Sequence, residues 1–527
     1  MKKNKKKHKY NKWIGDNHYS AMNCNHLYYQ TETNYLNQDL DNIAKQMQLN
    51  TCASPGFYFG YKTAYGLGQY VGLKQGEEGN ILIAGANGSG KSSGIAKPTL
   101  YTWQGSICVT DIKGELSKFY MNLYQQGLVK RPYIIFDPTQ MDSKGYDPFY
   151  LLKHDEDNLV SNICEIVDAI IPIPHDIKEP FWLETEQSIF KATLLYGFQL
   201  GFSFYDSINK IILSPINDLL KDISELGGEL ANMYIRNTHR LKPETLADID
   251  RGLRNKLIVF STDPYISNTF RVDADYFTWD DLDEANIFLR IPADKIDQWG
   301  GVINLMYTQL IRHLERRPEK YSPDGKNNVQ TLLLMDEFAR FGKLNIITDA
   351  VSTLRSKNVN ICLFIQSLAQ LDKLYGECDR RIILDNCQYK TILQANDADT
   401  QEYFSRLIGT QINIQRSKSE NLDDCMDTIG YSKQSTEIRE RIVFPHELST
   451  LNDILLLSPY GFCRIDKIQL HNTINHLLFH DSKIFPATAT IITPSSNQEQ
   501  FSQDSGTTTT DAKIPIIHAK AVIIENK

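Results

Sequence analysis

NILIAGANGSGKSSGIAKPTL, residues 80–100, runs from an apolar stretch through a glycine-rich turn into a helical pattern. Within it, Gly85–Ser92 matches G-x-x-x-x-G-K-[ST], the loop that cradles phosphate groups. Glycines let backbone N–H groups converge on an anion where side chains would block the approach. The residues predicted to ring a nucleoside triphosphate are Gly85, Ala86, Asn87, Gly88, Ser89, Gly90, Lys91, Ser92 and Ser93. Lys91 would reach the β- and γ-phosphates, the Ser92 hydroxyl would hold Mg2+, and the following helix would point its N-terminus at the same charge. The flanking strand and helix supply the context that the motif requires.

Such a loop needs an acidic partner at the end of a neighbouring strand. Thr331-Leu-Leu-Leu-Met-Asp336-Glu337 has that form, with Asp336 for the metal and Glu337 to polarise an attacking water. Further apolar runs lie at 106–110, 133–136, 285–291, 361–365 and 389–393. Strands of this kind, separated by helical stretches, predict an α/β fold around a mainly parallel sheet flanked by helices. Gln366 follows the run 361–365 and is either a γ-phosphate sensor or the first residue of a helix. Asp111, Lys113 and Glu115 either organise the site or form a turn and helix start. Arg355 is either a charge supplied to a neighbouring subunit's site or a solvated helix-end residue.

Outward from these motifs, a length of 527 residues predicts two to four domains, and 41% hydrophobic with 23% charged residues excludes a fibrous or disordered chain. A formal charge of −8 means that any nucleic acid must meet a local basic surface. The nine cysteines form no CxxC pair, which fits a reducing compartment and buried thiols. No apolar run reaches membrane-spanning length, and the expected location is cytoplasmic.

The segments read as follows. Residues 1–55 are polar and open with seven lysines in twelve residues, either a frayed tail or a tether to anionic lipid or nucleic acid. Residues 56–157 carry the phosphate loop, 158–270 show a helical period and predict an inserted all-α domain, and 271–470 carry the second set of strands. Residues 412–437 are polar and predict a surface loop. Residues 471–527 form an extension whose low-complexity stretch 493–512 predicts a disordered linker.

Several strings, taken in order, resemble TraG/TraD-type coupling proteins of conjugation and type IV secretion. They are Pro98-Thr-Leu100, Asp111-Ile-Lys-Gly-Glu115, FDPT at 136–139, YDPF at 146–149, EPFW at 179–182, LLLMDEFARFGKL at 332–344 and LFIQSLAQLDKLYG at 363–376. The resemblance implies a RecA-like motor with an inserted all-α domain, ATP and Mg2+ as ligands, and a homo-hexameric ring. It implies as partners single-stranded DNA, relaxase or relaxosome proteins, and components of the secretion channel. It also places Gln366 at the sensor position and Arg355 where a basic residue acts in trans. Members of that family usually begin with two membrane-spanning helices, so this chain is expected either to be recruited by a membrane-anchoring partner or to bind an anionic lipid surface, peripherally on the inner face of the membrane. A DNA translocase of the FtsK/HerA kind and a nucleotide-gated docking platform are the competing readings.

Overall fold

The structure is a computed structural model that describes residues 48–49, 55–64, 67–140, 143–174, 177–271, 275–422 and 428–468. The lysine-rich start, the stretch 493–512 and the last residues lie outside these. Strands β1 (Gln48–Leu49), β2 (Gly56–Ala64) and β3 (Leu67–Lys74) form a small antiparallel sheet in the order β1-β3-β2. The tyrosine- and glycine-rich texture of this region suits short strands joined by tight turns.

The main sheet has nine strands. Its parallel members are β4 (Asn80–Gly85), β5 (Ser106–Thr110), β6 (Tyr133–Phe136), β9 (Asn286–Leu289), β10 (Thr331–Met335), β11 (Val359–Ile365) and β12 (Cys387–Gln394). Between β6 and β9 fall the two-residue strands β7 (Gly145–Tyr146) and β8 (Tyr276–Phe277), which pair with each other in parallel. After β12 come β13 (Thr410–Leu422) and β14 (Thr428–Arg441), then β15 (Ile454–Ser458) and β16 (Gly461–Ile465). The sheet order is β16-β15-β12-β4-β11-β10-β5-β9-β6, with β15 and β16 antiparallel at one edge.

Every residue of β4, β5, β10 and β11 is buried. Helices cover both faces, so these strands read as continuous apolar runs without alternation. Cys108, Cys362, Cys387 and Cys463 are buried, and they behave as small hydrophobes.

Between β7 and β8 the chain is helical, with helices at Leu159–Ile170, Phe181–Gln199, Phe204–Leu213, Ile216–Leu226, Gly228–Ile235, Pro243–Thr262 and Pro264–Phe270. The chain therefore leaves and re-enters the sheet region through the β7–β8 contact. Among the described residues no helix is long and apolar enough to cross a membrane.

One expectation is overturned. Of the stretch 412–437, residues 412–422 and 428–437 are not a loop; they lie in the antiparallel ribbon β13–β14, which pairs from Thr410↔Arg441 to Leu422↔Thr428, while 423–427 lie outside the described residues. Among the described residues no third strand joins it. With no further strand paired to the ribbon among the described residues, and with Ile412 and Ile414 exposed, apolar alternation is not required of it and its composition carries no strand signal.

Candidate functional site

The register of four adjacent strands brings the motifs to one line. Ile365 of β11 lies opposite Ala84 of β4, Leu363 opposite Met335 of β10, and Met335 opposite Thr110 of β5. The phosphate loop, Gln366, Asp336–Glu337 and Asp111 therefore leave the carboxyl edge of the sheet side by side. In open parallel sheets this edge is where ligands bind.

The loop owes its shape to Gly88 and Gly90, whose φ values of +77° and +95° lie in the left-handed region. Gly85 is needed for a different reason: a Cβ there would fall 2.5 Å from Ser89 Oγ. The helix that follows opens with a wide π turn at Ser92–Ala96, and Gly94 N–H donates to Gly90 O at 2.7 Å. Pro98, which has no N–H to give, sits just beyond this turn in helix Lys97–Thr102. Thr99 and Thr102 tie that helix to β2, accepting from Tyr58 N–H at 3.2 Å and donating to Gly56 O at 2.8 Å respectively.

Lys91 is nearly buried, and its ammonium donates to the carbonyls of Gly85 and Ala86. Burial lowers its pKa, while the charges of Asp336 and Glu337 oppose that shift. Asp336 is raised to about 6, first by burial and then by the Glu337 charge beside it. Burial pushes Glu337 upward too, but the hydrogen bond and charge of Lys113, helped by Arg340, outweigh it and hold the carboxyl below its usual range. The Lys113 ammonium lies 2.6 Å from Glu337 Oε1, and Arg340 lies 3.4 Å from Oε2. Glu337 is one of two non-glycine residues with positive φ among those described, at +53°, a conformation that concentrates at functional sites.

Residues 86–93, Lys97, Lys113, Glu115, Asp336 and Glu337 line a cleft of about 200 Å³. Two buried side-chain atoms in its wall, Ser89 Oγ and Asp336 Oδ1, have no hydrogen-bond partner. A glycine cradle, a lysine, a helix N-terminus and an unsatisfied carboxylate oxygen together fit a magnesium-bound triphosphate. A larger cleft of about 360 Å³ lies between helices Leu368–Asp385 and Ala398–Ile408. Its charges pair with one another, Arg380 with Asp372 at 3.0 Å and Arg406 with Glu402 at 2.8 Å, and it has no glycine-rich backbone. The chemistry belongs to the smaller cleft.

By sheet order Gln366 sits between the phosphate loop and Asp336, and its backbone N–H donates to the side-chain carbonyl of Gln370 at 3.2 Å. Arg355 is not brought to this site. It precedes β11, on the opposite edge, roughly 20 Å away by strand rise, and pairs with Glu78 at 3.3 Å. Asp111 and Lys113 both prove to have defined contacts: Asp111 accepts from Ser117 at the start of helix Glu115–Gln125, and Lys113 reaches Glu337. Arg340 and Tyr375 were not singled out from the sequence. Tyr375 stacks on Phe338 at 5.7 Å and accepts from Leu344 N–H at 3.1 Å, anchoring the segment after Glu337. The spacing of Arg340 from Glu337, three residues along one turn, was the available signal.

The family model described as Type IV secretory system Conjugative DNA transfer matches residues 23–458. The chain belongs to this conjugative DNA transfer family. Protein VirD4 of Rhizobium radiobacter is 23% identical over 449 residues, 81% of this chain and 62% of that one. Conjugal transfer protein TraG of Escherichia coli is 23% identical over 379 residues, 65% of this chain and 58% of that one. The match thus spans about three fifths of the length of these curated relatives. An unbound form of the bacterial conjugative coupling protein TrwB shares the fold, with a TM-score of 0.60, 16% identity, and coverage of 81% of this chain and 92% of that one. TrwB in complex with a non-hydrolysable ATP analogue gives a TM-score of 0.57 at 18% identity, over 76% and 88% of the two chains. This conjugative-transfer chain therefore has the RecA-like α/β fold that the sequence predicts.

Proposed function

We propose that this protein is an ATP-hydrolysing coupling protein that recruits relaxase-bound single-stranded DNA, or a protein substrate, and drives it toward a type IV secretion channel. The observation that carries the reading is the alignment of the phosphate loop with Asp336 and Glu337 on one sheet edge, in a chain of the conjugative DNA transfer family. In this reading the N–H groups of residues 85–93 and the Lys91 ammonium hold the phosphates. Ser92 and Asp336 hold Mg2+, which when bound neutralises charge on the phosphate oxygens. The TrwB structures with the ATP analogue ADPNP, and with ADP and Mg2+, support these ligands.

Glu337 orients a water and takes its proton, and Gln366 senses the γ-phosphate. Arg355, 55% exposed on the far edge, serves the site of a neighbouring copy in a homo-hexamer. The helical insertion 158–270 meets the cargo. The remaining partners are the channel components and, for the lysine-rich start, a membrane-anchoring protein or an anionic lipid surface.

The test is ATP turnover by the purified chain, with and without single-stranded DNA, over a range of protein concentrations. Turnover that rises with DNA and steepens with concentration supports a motor with shared sites. ATP binding with no turnover at any concentration overturns the motor in favour of a nucleotide-gated docking protein.

A further inference from the structure

The turn between β5 and helix Glu115–Gln125 reaches the Glu337 carboxylate from a neighbouring strand. Asp111 is 1% exposed and accepts from both the N–H and the hydroxyl of Ser117, each at 2.7 Å. Gly114 has φ +68°, and a Cβ there would lie 2.7 Å from the Arg290 guanidinium. The backbone on both sides of Lys113 is therefore fixed, whereas its side chain is 53% exposed at the cleft.

Both oxygens of Glu337 face cations, Lys113 at 2.6 Å and Arg340 at 3.4 Å. Such charge-assisted contacts take one lone-pair direction on each oxygen and stabilise the carboxylate against accepting a proton from water. Arg340 shares one short turn with Glu337 and moves with it. Lys113 comes from a different strand, so it can withdraw without unpacking the core.

We propose that Lys113 is a positioning residue that latches the Glu337 carboxylate and must leave it before Glu337 can act as a base. The proposal rests on the reading of Glu337 given above.

The experiment uses the full chain with Lys113→Gln and Lys113→Arg, each alone and combined with Glu337→Gln. It measures kcat and KM for ATP with and without single-stranded DNA, the Kd of a fluorescent ATP analogue, and the melting temperature. With Lys113→Gln, basal kcat is expected to rise roughly tenfold, about one decade of barrier. KM and the analogue Kd should stay within about twofold, and stimulation by DNA should shrink. Lys113→Arg should keep the low basal rate. The melting-temperature change caused by Lys113→Gln should vanish in the Glu337→Gln background, because the partner is gone.

A fall in kcat together with weaker analogue binding would overturn the latch and make Lys113 a phosphate ligand. An unchanged kcat with additive melting shifts would also overturn it. If wild-type protein turns over no ATP, the reading of Glu337 as a base falls and the latch falls with it. If wild type turns over normally and Lys113→Gln does not exceed it, the latch alone fails.

Discussion

The central strands and the ribbon β13–β14 are both extended chain, but they are held by different forces. β10 and β11 are buried at every position between parallel neighbours and helices. Among the described residues the ribbon pairs only with itself, and Ile412 and Ile414 stand 57% and 45% exposed on it. The first arrangement draws on hydrophobic burial as well as ladder hydrogen bonds, the second mainly on the ladder. That difference explains where chemistry can be sited: a packed sheet edge fixes Lys91, Asp336 and Glu337 relative to one another, and an isolated ribbon has no comparable support.

The sharpest way to break this comparison is a truncation in each region. Leu333→Ala, at 1% exposure in β10, should cost about 3 kcal/mol in chemical denaturation, from lost burial and the cavity left behind. A cost near zero would mean that the central sheet is far looser than its burial implies.

Next in size is Lys91→Ala. It should weaken binding of a fluorescent ATP analogue roughly a hundredfold while leaving the denaturation midpoint close to wild type. Retained affinity would remove the phosphate loop from its assigned role.

A third test uses pH. The Asp336 carboxyl is raised to about 6, so the folded chain binds this proton more tightly than the unfolded chain does. The resulting stabilisation is complete below the ordinary Asp value near 4 and is lost as pH rises to about 6. Asp336→Asn, which keeps the neutral form, should therefore stabilise the protein at pH 8 by about 3 kcal/mol and have little effect near pH 4. Equal effects at both pH values would contradict the burial assigned to this group.

The smallest effects belong to the ribbon. Ile412→Ala should change stability by less than about 0.5 kcal/mol, and replacing residues 412–439 with a short glycine turn should leave analogue binding unchanged. A large loss in either measurement would show that the ribbon contributes to the motor core.

Strands β5 and β10 could be read from the chain to the residue, because a strand covered on both faces is largely apolar. The apolar run 133–136 marked β6 as well, although that strand is half-buried at the sheet edge. β11 begins two residues before its readable apolar run. Asn360 interrupts the pattern, yet it is 1% exposed, donating to Gly79 O at 2.9 Å and accepting from Gln330 at 2.8 Å. A buried amide satisfied by distant partners is invisible to a hydropathy pattern. The ribbon was illegible for the opposite reason, since positions as exposed as Ile412 and Ile414 place little demand on composition.

By itself the sequence determined the phosphate loop, the acidic strand end and the α/β class, because each depends on local backbone freedom or on a period written into neighbouring residues, and the family through the resemblance of several strings taken in order. Tertiary structure alone decided the left-handed backbone of Glu337, its pairing with Lys113 and Arg340, and the separation of Arg355 from its own chain's site. Lys113 and Glu337 stand more than two hundred residues apart. They meet because β5 and β10 are neighbours in the sheet, and strand order is set by the packing of the whole domain.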